Sequence, residues 1–283
     1  MTITAATLLD VSYILTVYIG SLTVIVGLIG NLLNILVFTR LKLFRKNPST
    51  FSLTIVSIAD CGLLILTTIN RIIPTIFQFN LMSRSNLACK LVVYIARFVG
   101  IISISVVCFA AFDQYLSTSY HYRLRQMSTF KLAQSFVIVL VLLAGLYSTP
   151  VLIYFDIRPV VGCTVNDAAF NYFNSFIHYC ILFGLLPILI ALSFSLLAYR
   201  NVRHLIRHET SAVRRRLDRQ LTAMILVRAA LMIIVSLPFF IHIIYQYHSS
   251  YDRTNQWIVA VRRIIATIFT TIYYTNSSVE NTF

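Results

Sequence analysis

Apolar and polar positions along this chain fall into long blocks. Seven apolar runs, each long enough for a membrane-crossing helix of about 20 residues, occupy roughly residues 12–38, 50–78, 87–118, 131–154, 172–200, 219–246 and 256–282. Polar breaks separate them: "RLKLFRKNPST", "NLMSRSN", "TSYHYRLRQMST", "DIRPVVGCTVND", "RNVRHLIRHETSAVRRRLDR" and "YHSSYDRTN". The breaks are short, so helices adjacent in sequence are expected to be adjacent in space. No internal repeat and no low-complexity linker interrupts the pattern. It predicts an all-α, seven-helix bundle forming a single domain over residues 1–283.

Composition identifies the solvent. Of 283 residues, 58% are hydrophobic and 11% charged, whereas soluble domains carry about 25% charged residues. Such a chain cannot face water on all sides, and a lipid bilayer is its expected surroundings. In a soluble protein a net charge of +14 would point to nucleic acid; the placement of the charge argues otherwise. Arg40, Lys42, Arg45 and Lys46 follow the first run, Arg123, Arg125 and Lys131 the third, and Arg200, Arg203, Arg207, Arg214, Arg215, Arg216 and Arg219 the fifth. The other face holds fewer: Arg84, Lys90, Arg158, Arg253, Arg262 and Arg263. Cytoplasmic loops collect Lys and Arg, so the N-terminus is predicted outside and the C-terminus cytoplasmic, with no nucleic-acid partner. The start "MTITAATLLDVSYILTVYIG" lacks a positive n-region. Its apolar run also exceeds the h-region of a cleavable signal, and the first helix is expected to be its own insertion signal.

The chain shows no GxSxG, HExxH or P-loop pattern, no paired intramembrane aspartates and no Cys/His cluster with metal-ligand spacing, so an enzyme is not predicted. The polar residues within the apolar runs carry the functional signal. Asp60 is a mid-helix carboxylate, and an intramembrane acid is a functional candidate by default. Asp113 ends the third run beside Gln114 and Tyr115, with Lys131 and the basic loops in electrostatic reach. A seven-helix carrier using Asp60 and Glu280 is the rival class; it requires inverted repeats and interrupted helix pairs, which the sequence does not contain.

Several residues form an ordered set. Asn31 stands in "GLIGNLLNILVF" and Asp60 in "SLTIVSIADCGLL". Cys89 opens the third run and "FDQYL" closes it. Pro150, Pro187 and Pro238 mark runs four, five and six, and "NSSVENTF" closes the chain. In order and spacing this set resembles the rhodopsin-like family of G-protein-coupled receptors, over essentially the whole chain. Cys89 lies twenty-five residues before Gln114, the spacing that family keeps between its disulfide cysteine and its Asp-Arg-Tyr arginine.

The resemblance implies a plasma-membrane receptor that binds an extracellular ligand and signals to a heterotrimeric G protein through helix-six movement. It implies a disulfide between Cys89 and Cys163. It also implies a sodium site at Asp60 and Ser103, with Asn31, Asn276 and Ser277 completing a polar core; the alternative is a protonated, hydrogen-bonded Asp60. No other cofactor is expected. Asp113, Gln114, Tyr115, Arg214, Arg215 and Arg216 are the implied G-protein-facing set. Where amine receptors of the family carry an acid, this chain has Ala96 and Arg97. An amine ligand is therefore disfavoured; "QFNLMSRSN" and the Cys163 loop resemble the rim of a peptide receptor, so a peptide of neuropeptide type is favoured. Arg71, Arg97, Arg262 and Arg263 could form a cationic mouth for a ligand carboxylate, since Arg binds carboxylates bidentately; each alone could equally snorkel to lipid headgroups. Cys61, Cys108 and Cys180 read as small buried hydrophobes.

The chain departs from the family pattern at several points. Gln114 replaces the arginine, Ser236 the helix-six tryptophan and Ser195 a helix-five tyrosine. The Asn-Pro-x-x-Tyr segment is missing, and no eighth helix is expected. A silent or decoy receptor is the alternative function. Arg228 and Glu280 are single charges in apolar helices, costly unless paired. Since helices six and seven are neighbours in the family fold, an Arg228–Glu280 switch pair is one expectation; the alternative is that Arg228 snorkels to the cytoplasm or reaches Asp113 while Glu280 is protonated or frays with the terminus.

Overall fold

The computed structural model describes residues 4–41, 47–158, 162–205, 220, 223, 226–227, 230, 234–246, 249 and 255–279. Among them six helices are long and apolar enough to cross a membrane: α1 (Ala5–Arg40), α2 (Pro48–Phe77), α3 (Asn86–Thr118), α4 (Phe130–Tyr154), α5 (Ala168–Val202) and a last one whose apolar stretch is Gln256–Thr275. A shorter apolar helix, α6 (Ile234–Gln246), lies in the predicted run 219–246. The last helix, α7, extends over Gln256–Val279. The expected Arg228–Glu280 pair and the basic residues Arg214, Arg215 and Arg216 lie outside the described residues.

The helices start where side chains satisfy orphan N–H groups. Asn47 caps α2 with Pro48 at the first helical position, where a missing N–H costs nothing. Ser85 caps α3 through Ala88 N–H, Thr129 caps α4 through Leu132 N–H, and Asp167 caps α5 through Phe170 N–H. Thr4 and Thr7 form a reciprocal capping box, so α1 begins at Ala5, earlier than predicted. Asp10 sits inside the helix.

Helix α3 is the hub. Ile102, Val106 and Val107 pack with Val56 and Ala59 of α2, Ala144 of α4 and Ala191 of α5. Small residues let backbones approach where lipid supplies no hydrophobic drive between helices. The same rule brings α1, α2 and α7 together at Gly27. A Cβ there would fall inside contact distance of Ser278 Oγ, 2.7 Å from Leu64 Cδ1 and 2.9 Å from Ser278 Cβ. Ser278 Oγ donates to Thr23 O at 2.8 Å, and Ser12 Oγ meets Thr267 Oγ1 at 2.9 Å. The outward face of α1 carries Leu22, Ile25, Ile29, Leu32, Leu33 and Leu36, all exposed, as a lipid-facing surface requires.

Residues Asn174–Leu185 of α5 form a widened π-helical stretch. Its end has a local cause. Pro187 has no N–H to donate, and Leu186 N–H reaches back five residues to Ile181 O. The break after α4 was expected to be a loop. Instead β1 (Phe155–Arg158) and β2 (Gly162–Val165) pair antiparallel, with Ile157 opposite Cys163. Gly162 takes φ +82°, a left-handed conformation that glycine adopts without strain.

Candidate functional site

One end of the bundle is built around the hairpin. Asn86, Cys89 and Lys90 fall on one face of the first turns of α3. Cys89 is bonded to Cys163 of β2, Cα to Cα 5.7 Å. Beside the bridge, Asp156 Oδ1 of β1 accepts from Asn86 Nδ2 at 2.8 Å and pairs with Lys90 Nζ at 3.2 Å, while Asn166 Nδ2 donates to its Oδ2 at 2.8 Å. Lys90–Asp156 is the ion pair found among the described residues. The Asn86 hydrogen bond, and then Lys90, hold the Asp156 carboxyl below its ordinary range. This latch was missed in the sequence. Its trace was an amide and a cation flanking Cys89 on one helical face.

Two turns further into α3, Arg97 is 5% exposed. Its guanidinium donates to Asn174 Oδ1 of α5 and lies 5.8 Å from the Phe170 ring centroid. Asn174 and His178 are one turn apart on the widened stretch and both are buried. His178 Nδ1 meets the Tyr147 hydroxyl of α4 at 3.4 Å. The result is a buried cationic and hydrogen-bonding cluster drawn from α3, α4 and α5. Next to it a cleft of 460 Å³ opens between the same helices; apart from Tyr147, Ser105 and Cys108 it is lined by apolar and aromatic side chains.

The four arginines expected to share a mouth do not all meet: Arg71 and Arg263 lie within electrostatic reach of each other, and Arg97 stands in the cluster of α3, α4 and α5. Arg71 borders a small threonine-rich cavity between α1, α2 and α7. Arg262 of α7 donates to Ser249 Oγ at 2.5 Å and lies 5.2 Å from the Tyr245 ring centroid at the end of α6. Arg263 is exposed. Only Arg97 is buried among α3, α4 and α5, because each helix turns its arginine in a direction that the sequence alone did not fix.

In the middle of the bundle Ser103 Oγ donates to Asp60 Oδ1 at 2.8 Å, and Asp60 is 2% exposed. Asn31 is fully buried and donates its side-chain N–H to Gly27 O at 2.8 Å. Asn276 and Ser277 lie on α7, their side chains outside the described set. Asp60 and Ser103 bring two hard oxygen donors together, the donor type that a hard cation selects.

At the far end Asp113 is 1% exposed. Among the described residues its hydrogen-bond partners are two serines. Ser49 Oγ of α2 donates to Oδ2 at 2.6 Å, and Ser128 Oγ, from the segment before α4, donates to Oδ1 at 2.7 Å. Ser49 Oγ is also 3.2 Å from Gln114 Oε1, and Gln114 is 2% exposed. Tyr115 packs on Phe194 of α5, centroids 5.7 Å apart. Cys61, Cys108 and Cys180 are free thiols and only half-buried. Cys108 lines the apolar cleft between α3, α4 and α5.

Long apolar helices around a polar interior, tied at one end by a disulfide-bonded hairpin, define a multi-span membrane protein. The family model of the 7 transmembrane receptor (rhodopsin family) matches residues 30–280, and the chain belongs to that family. Its members are signalling receptors rather than enzymes. No curated protein matches the chain.

Proposed function

We propose that this receptor lies in the plasma membrane with its N-terminus and the disulfide hairpin outside, and its C-terminus and the Asp113 end in the cytoplasm. It binds a peptide ligand at the hairpin end and passes the signal to a heterotrimeric G protein by movement of the sixth helix. The observation that carries the ligand reading is Arg97. A buried guanidinium beside Asn174 and His178 repels an ammonium group and offers a carboxylate charge-assisted hydrogen bonds. The ligand group that fits is therefore an acid, such as a free peptide C-terminus.

The test is a peptide library applied to cells expressing the chain with a promiscuous G protein. Hits are then compared as free acids and as amides on wild type and on Arg97→Gln. Free acids are expected to lose about tenfold or more in potency on Arg97→Gln, the equivalent of about 1.4 kcal/mol. Activation by amines, unaffected by Arg97→Gln, would end this reading.

A second reading, a receptor with impaired coupling, draws on Gln114. A neutral amide, buried and hydrogen-bonded to Ser49, offers a G protein no guanidinium. Asp60 and Ser103 are proposed to hold a sodium ion with their oxygen atoms, and the family resemblance adds Asn31, Asn276 and Ser277 to that proposal. A bound cation there would supply positive charge to a buried carboxylate that is otherwise costly to keep ionised.

A further inference from the structure

We propose that the threonine-rich cavity between α1, α2 and α7 is a chloride site, with Arg71 and Tyr274 as its principal donors.

The cavity has a volume of about 20 Å³, and Thr16, Thr23, Thr67, Arg71, Thr270 and Tyr274 are among the residues that border it. A water molecule needs roughly 10–15 Å³ of such space. There is room for one monatomic ion and none for a ligand of several heavy atoms. Among the described residues that border the cavity, Arg71 is the one that carries charge, and none is an acid.

The backbone sets Arg71 on this side of α2. Residues Thr68–Ile72 of α2 are π-helical, as are Leu15–Ile19 of α1, which include Thr16. Such turns are rare and gather at functional sites. The cause in α2 is local. Pro74 has no N–H to donate, and Ile73 N–H reaches back five residues to Thr68 O. The widened turn rotates what it carries relative to a regular helix, and Arg71 ends toward α1 and α7.

The donors at the cavity differ in what they are free to do. Thr16, Thr23, Thr67 and Thr270 each donate to their own helix, at Ser12 O, Ile19 O, Leu63 O and Ala266 O. The Arg71 guanidinium and the Tyr274 hydroxyl lie within electrostatic reach of each other. Among the described residues, neither has a hydrogen-bond acceptor. A guanidinium offers five N–H donors and no acceptor, and a charge inside a helix bundle is costly without a countercharge. The site therefore calls for an acceptor that is also negative. Water supplies only the first property, and a cation neither. Arg263, also within electrostatic reach of Arg71, raises the positive potential that an anion meets. Chloride fits because it is monovalent, accepts from any direction and needs no room beyond its own radius.

Bound chloride links α2 to α7 through Arg71 and Tyr274. Arg71 stands eleven residues beyond Asp60 toward the hairpin end, roughly 16 Å along the helix. Supply from extracellular fluid rests on the reading that places that end outside; binding to the purified protein does not.

The experiment compares melting of the full chain in nanodiscs in sodium chloride and in sodium gluconate at equal ionic strength. Gluconate is too large for the cavity, and constant sodium removes any contribution from Asp60. Wild type is expected to melt higher in chloride, with a saturable dependence on its concentration, and bromide should replace chloride. Arg71→Gln should make the two salts equivalent. Tyr274→Phe should raise the chloride concentration required by about tenfold, as loss of one hydrogen bond to a charged group does. Equal melting of wild type in both salts, a chloride effect that survives in Arg71→Gln, or stabilisation by formate and not by chloride would overturn the proposal. Should Arg71→Gln fail to fold, the chlorine magnetic resonance line decides: wild type should broaden it, and Tyr274→Phe should broaden it less. Equal broadening by the two proteins would count against the site as decisively.

Discussion

Ser49 Oγ of α2 stands 2.6 Å from Asp113 Oδ2 of α3. The carboxylate that the family pairs with the next residue's arginine is held here across helices by a hydroxyl, and Gln114 shares that hydroxyl at 3.2 Å. Restoring the guanidinium with Gln114→Arg places a cation beside Asp113 at the end proposed to face a G protein. Agonist-stimulated signalling should rise above wild type at equal surface expression, read by second-messenger assay. Robust wild-type signalling that Gln114→Arg fails to improve would remove the impaired-coupling reading.

Asp60 provides a second measurement. If sodium binds its carboxylate, replacing potassium chloride with sodium chloride should raise thermal stability. Stabilisation by a ligand follows its saturation, about 2.7 kcal/mol at a hundred times its dissociation constant. Asp60→Asn should make the two salts equivalent. Equal melting of wild type in both salts would show that the acid holds no ion.

The hairpin latch gives a pH dependence with a defined sign. Hydrogen bonding from Asn86 and the charge of Lys90 lower the folded pKa of Asp156, while the unfolded carboxyl titrates near about 3.9. Folding therefore favours the ionised form. The contribution is present above about pH 4 and is lost as pH falls through the lower folded value. Hydrogen exchange in 155–165 should accelerate in that acid window in wild type. Asp156→Asn should flatten the dependence and leave the disulfide intact.

Gly27 admits no side chain without displacement, with Leu64 and Ser278 already at the position of its Cβ. Overpacking a close-packed site costs about 1–3 kcal/mol. Gly27→Ala should lower the melting temperature in detergent, and Gly27→Val should lower it further. An unchanged melting temperature would show that α1 is free to move away from α7.

The long apolar runs were legible because a membrane span is a one-dimensional property: length and composition suffice. The Cys89–Cys163 bridge was implied by the family resemblance, since one cysteine stood at each element the family links. The hairpin that presents Cys163 was hidden. Phe155–Arg158 and Gly162–Val165 are each four residues long, too short to show an alternating pattern. The partners of Asp113 were invisible for another reason. Ser49 is 64 residues away and Ser128 fifteen, and a serine gives no sign in sequence of what it will bond. The scattering of Arg71, Arg97, Arg262 and Arg263 follows from helix rotation, which burial decides only once the neighbouring helices are in place.

The seam between α1 and α7 bears on how the protein is made. Ser12–Thr267 and Ser278–Thr23 each join residues 255 positions apart. At ribosomal rates of about 5–20 residues per second, the first helix waits roughly 10–50 s for its last partner. Thr16 and Thr23 spend that wait bonded to their own helix, through Ser12 O and Ile19 O. Leu64 of α2 can reach the Gly27 notch earlier, but Ser278 fills its share only once α7 is made. A chain that ends before α7 therefore leaves both hydroxyl contacts unmade, and the first helix is the last to be sealed into the bundle.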